Sequence, residues 1–321
     1  MGNIDGYLND IDMKRFISRF ICILIAGVLA STVAANAQIA QYKLELEPFT
    51  SVTVGNSFKV NLVKGESYSV EVTVNEVLKD FVQVAVSEGV LNVYFEEKKV
   101  SSEIMKPFRG RNASAPVFNA VVTVPAGVKN LSLKDEVVLL GFDDVADTAA
   151  FNLDMAGNVS IKSAQISSNT VTVNSSRKAG GQLKVIADKL SLTAKGSADL
   201  IVDQEVKDVE YNISTNVNLL VNGKSETLKL ISAGTSKVII NGETEFARYQ
   251  LSGSSVVNAL NLKAKEANVE MNSICALQQA ASEWIFINVS NGATLTYAGE
   301  PQIHINSIRN ASVVRYQEAG K

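Results

Sequence analysis

The sequence predicts an all-β protein, a right-handed parallel β-helix (β-solenoid) in which one coil of chain takes about 19 residues. Three observations predict it: a Gly/Asn corner recurring every 19 residues, two apolar columns at fixed offsets from it, and a composition rich in strand and turn formers with 46% hydrophobic residues.

The corner is the strongest of these. Stepping by 19 from Asn158 gives Arg177, Gly196, Thr215, Gly234, Gly253, Asn272, Asn291 and Asn310, and seven of these nine are Gly or Asn. Those two residues best tolerate a left-handed backbone, which a corner with φ > 0 once per coil would demand. Four places later the column reads Lys162, Gly181, Leu200, Leu219, Val238, Val257, Ala276, Leu295, Val314. Six places later it reads Ala164, Leu183, Val202, Val221, Ile240, Ala259, Gln278, Tyr297, Tyr316. Mostly apolar and two residues apart, the columns share one face of a strand. A second corner follows at Gly223, Gly242, Asn261 and Gly299. One coil cannot offset the backbone entropy of ordering it, so coils must stack and share a core. Leucine-rich repeats of similar length require L-x-x-L-x-L-x-x-N, which is absent, and a hairpin meander would not hold such columns in register. The right hand follows from the general rule for parallel crossovers.

Residues 38–150 read as an N-terminal β-strand region, either a cap or irregular first coils. Alternating runs at Val52/Val54, Phe58/Val60/Leu62, Val70/Val72/Val74, Val82/Val84/Val86 and Leu91/Val93 are separated by turns at Gly55-Asn56, Gly65 and Glu88-Gly89. A polar, partly basic loop spans 96–116, two further strands fall within 117–150, the regular repeats occupy 151–316, and 317–321 is a tail.

Residues 1–37 read as a signal peptide. A basic patch at Lys14-Arg15 and Arg19 precedes the apolar run Phe20–Leu29, and Ala35-Asn36-Ala37 is an A-x-A cleavage site. Translation is expected to start at Met13, and cleavage after Ala37 leaves Gln38 first. The run is too short to span a membrane, and no transmembrane segment is expected in the mature chain. Cys22 would depart with the signal, leaving Cys275 alone and excluding an intramolecular disulfide. The formal charge of −3 gives no footprint for nucleic acid.

Short motifs follow one another along the chain: Phe49, Val52 and Val54; Phe58-Lys59-Val60-Asn61-Leu62; Gly65; Val70-Glu71-Val72; Leu91-Asn92-Val93; Val124-Pro125; and Leu295-Thr296-Tyr297-Ala298-Gly299-Glu300-Pro301. Their order resembles the putative auto-transporter adhesin, head GIN domain family of exported proteins in Bacteroides-type Gram-negative bacteria. The family's S-G-S-G corner is reduced here to Ala233-Gly234-Thr235 and Ser252-Gly253-Ser254, and its last copy is replaced by Ser307-Ile308-Arg309-Asn310. The resemblance implies an exported solenoid with an adhesin-like role and supplies no catalytic residues. In that bacterial group Asp147-Thr148-Ala149 is similar to a short O-glycosylation acceptor, which makes Thr148 a candidate.

Reactive constellations are scarce. His304, the sole histidine, alternates with Ile303 and Ile305 and reads as a surface residue. Asp143, Asp144 and Asp147 lack the order of a calcium loop and read as an acidic turn. Asp199 and Asp203 near Lys195 are the nearest thing to a polysaccharide-lyase constellation and read as a solvated face. Cys275 reads as a core or coil-edge thiol. Trp284 and Phe286 lie on the face opposite Ile285, Ile287 and Val289, an exposed aromatic strip suited to stacking on sugars. No cofactor or metal is expected. The function expected is a non-catalytic envelope protein of the periplasm, outer-membrane surface or extracellular space that binds a glycan or surface protein. The alternatives are a structural envelope component and, less favoured, a β-helical polysaccharide-active enzyme.

Overall fold

Along the strands of the computed structural model, buried and solvent-facing side chains alternate with the period of two that a half-buried strand imposes. The structure describes residues 38–317 except 112 and 144; residues 1–37, the expected signal peptide with Cys22, Asp144 of the expected acidic turn, and residues 318–321 of the expected tail lie outside the described residues. The chain forms a β-solenoid of about nine turns.

The regular stack is made of β8 (Asn130–Phe142), β9 (Ala150–Ser167), β10 (Thr170–Ser232), β11 (Lys237–Leu251), β12 (Val256–Asn272), β13 (Ala276–Ser290) and the split last layers that follow it. In chain order these last are β14 (Thr294–Ala298), β15 (Gln302–Arg309) and β16 (Ser312–Arg315). β10 alone winds through 63 residues. Every contact between these neighbours is parallel. Between β10 and β11 the register holds from Asn218 opposite Lys237 to Ser232 opposite Leu251, a constant 19-residue offset. Inward columns such as Leu219, Val238, Val257, Leu277 and Leu295 are fully buried and run up the axis as one core.

The corners explain the spacing. Residues with positive φ include Gly196, Gly234, Gly253, Asn291 and Asn310, with Arg177 and Thr215 in the same column. Stacked corners are so close that a Cβ on Gly253 would lie 2.7 Å from the Gly234 carbonyl oxygen. Two corners fall one residue from the strict 19-step: Gly157 carries positive φ rather than Asn158, and Ser273 rather than Asn272. The second displacement has a visible cause. Between Ile239 and Gly242 of β11, β12 inserts one extra residue; between Ala259 and Glu266, β13 omits two. The corner therefore arrives late at Ser273 and returns to step at Asn291. The same slip makes Leu277 and Gln279, not Ala276 and Gln278, the inward pair of that layer.

The N-terminal region both continues and closes the stack. β2 (Ser51–Gly55) and β3 (Lys59–Lys64) lie parallel on the two halves of β8, and β6 (Val90–Phe95) and β7 (Phe118–Val124) lie parallel on β2 and β3 in turn. Beyond them β5 (Val82–Ser87) and β4 (Ser69–Asn75) run antiparallel, with β1 (Ile39–Glu45) outermost on β4. A short 3₁₀ segment, Glu76–Phe81, crosses this end and buries Leu78 completely. The 96–116 loop holds one helical turn, α1 (Ser102–Met105), capped by Ser101. β8 and β9 pair through Leu139 and Ile161, so coils continue across residue 150.

At the opposite end no further strand lies over the last coil among the described residues. Ile303 and Ile305 of β15 stack over Ile285 and Ile287 of β13, and Ile308 over Val289. The lower three are 0% exposed, whereas Ile303, Ile305 and Ile308 are 43%, 57% and 40% exposed.

Candidate binding surface

The outer faces of β11, β12, β13 and β15 carry two adjacent columns. One runs Phe246, Glu266, Trp284, Gln302; the other runs Arg248, Asn268, Phe286, His304. The strand period throws Ile285, Ile287 and Val289 into the core and Trp284 and Phe286 outward. Their rings lie 6.0 Å apart and nearly parallel at 17°, and His304 tilts against Phe286 at 5.6 Å. Trp284 is 36% exposed and Phe246, two layers away, 49%. Trp284, Phe286 and His304 therefore form a shallow platform edged by Glu266, Asn268 and Gln302, groups able to donate or accept hydrogen bonds beside an aromatic surface. Phe246 and Arg248 were not singled out from the sequence, although their outward parity one coil before Glu266 and Asn268 is readable there.

A second feature is a groove along the second corner. Depressions of about 660 Å³ and 640 Å³ share Lys224, Ser225 and Glu226 and extend from Thr148 to Ser282. Its charges are paired between coils. Lys207 meets Asp188 at 2.5 Å, Lys265 meets Glu245 at 2.5 Å, and Glu243 bridges Lys224 at 3.3 Å and Lys263 at 3.4 Å. The hydrogen bond and charge of Lys224, seconded by Lys263, hold the Glu243 carboxyl below its ordinary pKa. Exposed pairs of this kind contribute little stability, and Glu205 and Glu226 line the groove beside them.

Asp199 and Asp203 also face outward, each held in a polar ladder. Asp199 accepts from the Asn218 amide at 2.6 Å; Asp203 accepts from Gln182 at 2.7 Å and from Asn222 at 2.9 Å, and Asn241 continues the row onto Asn222 at 2.9 Å. Four residues apart on one strand, Asp199 and Asp203 have Cα atoms about 13 Å apart at ~3.3 Å per residue. Exposed Ile201 and Ile239 and half-buried Leu220 lie between these ladders.

Asp147 accepts from the Ala149 N–H at 2.8 Å and shapes the turn that leaves Thr148 exposed. Among the described residues no group of three or more His, Cys, Asp or Glu side chains is placed to hold a metal ion, and no helix is long and apolar enough to cross a membrane. Cys275 is 1% exposed, and burial raises its pKa. Its thiol points at the Asn272 carbonyl at 3.5 Å, as the Ser255 hydroxyl does at the Ser252 carbonyl, 3.0 Å, and the Ser236 hydroxyl at the Ala233 carbonyl, 3.4 Å. Ser236, Ser255 and Cys275 thus occupy one corner position in three successive coils, a column not read from the sequence.

Proteins of known structure resemble the chain only in outline. A putative adhesin from Parabacteroides merdae is 17% identical, the match covering 90% of this chain and 100% of that one with a TM-score of 0.46. A putative lipid binding protein from Parabacteroides distasonis is 15% identical over 88% and 98%, TM-score 0.44, and a putative adhesin from Bacteroides fragilis 13% identical over 89% and 100%, TM-score 0.32. No curated protein matches the sequence. The model of one family matches residues 48–200 and again 188–301, nearly the entire run of coils. By that match the chain belongs to the family described as putative auto-transporter adhesin, head GIN domain.

Proposed function

We propose that this is a non-catalytic, exported cell-envelope protein that binds a glycan through the Trp284–Phe286 platform. The observation that carries the reading is the near-parallel pair of outward-pointing rings, Trp284 exposed and Phe286 half-buried, on a strand whose other face is locked in the core. Sugars present apolar C–H faces edged by hydroxyls. A flat aromatic pair flanked by Glu266, Asn268 and Gln302 offers both halves of that recognition at small entropic cost, because the backbone beneath is already ordered. Export is supported by the Lys14–Ala37 segment and by the adhesin family. Thr148, exposed beside the ordered Asp147 turn, is the proposed O-glycosylation position.

The test is a glycan and matrix-protein binding screen of residues 38–321 beside Trp284→Ala. Losing the stacked indole should weaken glycan binding roughly tenfold. A variant that binds like the parent removes the platform from the mechanism; a parent that binds proteins but no glycan replaces glycan by protein as the ligand.

A further inference from the structure

We infer that the first corner, where Arg177, Lys178 and Lys195 meet, is a second recognition site, one that takes the carboxylate or sulfate groups of an acidic glycan. Arg177 and Lys178 share a layer, and Gly196 stacks directly on Arg177, since a Cβ there would lie 2.5 Å from the Arg177 carbonyl oxygen. Lys195 therefore follows one layer up, about 4.8 Å along the axis. All three side chains are exposed, and among the described residues none has an ion-pair or hydrogen-bond partner. Lysines elsewhere on the stack, Lys207, Lys224, Lys229, Lys263 and Lys265, are each bonded to a carboxylate. Around the corner the carboxylates are occupied or distant. Asp199, on the far side of Gly196 from Lys195, accepts from Asn218 at 2.6 Å, and Asp154 accepts from Asn174 at 2.8 Å. Asp135 and Glu136 stand two layers below Arg177 and Lys178, about 10 Å at 4.8 Å per layer.

Arg177 also fills a position that glycine takes in the layers on either side. Its φ is +67°, with Gly157 directly below and Gly196 directly above. A left-handed arginine costs stability that glycine would not, so its guanidinium, not its backbone, is what this position supplies. The surroundings select a glycan among anionic partners. The three stacked corner segments, 156–158, 176–178 and 195–197, hold no aromatic ring and no aliphatic side chain longer than alanine. Nothing there can stack a nucleobase or enter a lipid surface. Asn158 lies under Lys178, and Ser176 and Ser197 flank the corner. Sugar acids carry one charge per ring among hydroxyls, which suits cations set among amide and hydroxyl side chains.

The affinity of residues 38–321, which hold every described element, for dextran, carboxymethyl-dextran and dextran sulfate tests this, because the three polymers share one backbone and differ in charge. At least one acidic polymer should bind more tightly than dextran, and that excess should shrink as salt rises from about 50 mM to about 500 mM. Arg177→Gly and Lys195→Gln should each cut the excess roughly fivefold. Arg177→Gly also removes left-handed strain, so it should melt no lower than the parent, which separates lost binding from lost fold. Lys237→Gln, at an exposed lysine higher on the adjoining wall, should leave the excess unchanged. Equal binding of all three polymers overturns the inference, as does an excess that survives both corner substitutions or falls equally in Lys237→Gln. Tighter binding to single-stranded DNA or to phosphatidylglycerol vesicles than to either acidic dextran overturns the choice of a glycan. The excess reads charge and the platform reads stacking, so failure of either leaves the other standing.

Discussion

Replacing Gly242 by alanine should damage this protein far more than its surface position suggests. Gly242 sits over Gly223 at the second corner with φ +128°, and a Cβ built there would lie 1.7 Å from the Gly223 carbonyl oxygen. Ordinary carbon–oxygen contacts are about 3.3 Å or more, so the two layers would have to part by ~1.5 Å or the corner change conformation. The forbidden backbone and the overpacking each contribute about 1–3 kcal/mol, together about 4 kcal/mol. Gly89 supplies the control. Its φ is +72°, but nothing lies within 4 Å of its built Cβ, so Gly89→Ala carries only left-handed strain of about 1–2 kcal/mol. Urea unfolding followed by far-UV circular dichroism measures both. If Gly242→Ala costs no more than Gly89→Ala, the corners do not approach as closely as described, and close stacking is not what selects glycine there.

Two further expectations concern the core. Cys275→Ser should shift stability by less than about 1 kcal/mol, because Ser236 and Ser255 already make the equivalent corner bond; the native thiol should resist a thiol reagent until urea is added, and rapid native labelling would contradict its burial. Tyr211 and Tyr249, wholly buried and donating to Gln204 and Gln279, have pKa values raised by burial. The unfolded chain releases those protons near pH 10 while the folded one retains them, so stability is intact below pH 10 and falls above it. The slope approaches about 1.4 kcal/mol per pH unit for each tyrosine; a melting temperature that is flat from pH 9 to 11.5 would refute this.

The solenoid was legible because its hardest constraint is local. A corner that must adopt positive φ at close contact filters residue types strongly, and Gly196, Gly234 and Gly253 stand at the spacing that results. What escaped was set by neighbours instead of by residue type. Ser273 took the place of Asn272 because β12 gained a residue that β13 then gave back, and a fixed step cannot detect paired insertions of that kind. The N-terminal strands showed their alternation but not their order: β2 and β3 lie between β6/β7 and β8, although the chain makes them first. Tyr211–Gln204 and Tyr249–Gln279 were hidden for a related reason, since a polar residue in an apolar column looks like an exception until its partner across the core is seen. The faces of Trp284 and Phe286 followed from strand parity alone.

Because each layer repeats the outline of the one beneath, this architecture can lengthen by whole turns without redesign. Inserting one complete repeat between β10 and β11 would carry the aromatic platform about 4.8 Å farther from the closed end while leaving its immediate neighbours intact. How far such a molecule reaches and what it recognises are therefore separable properties, the first counted in turns and the second written on one short stretch of wall.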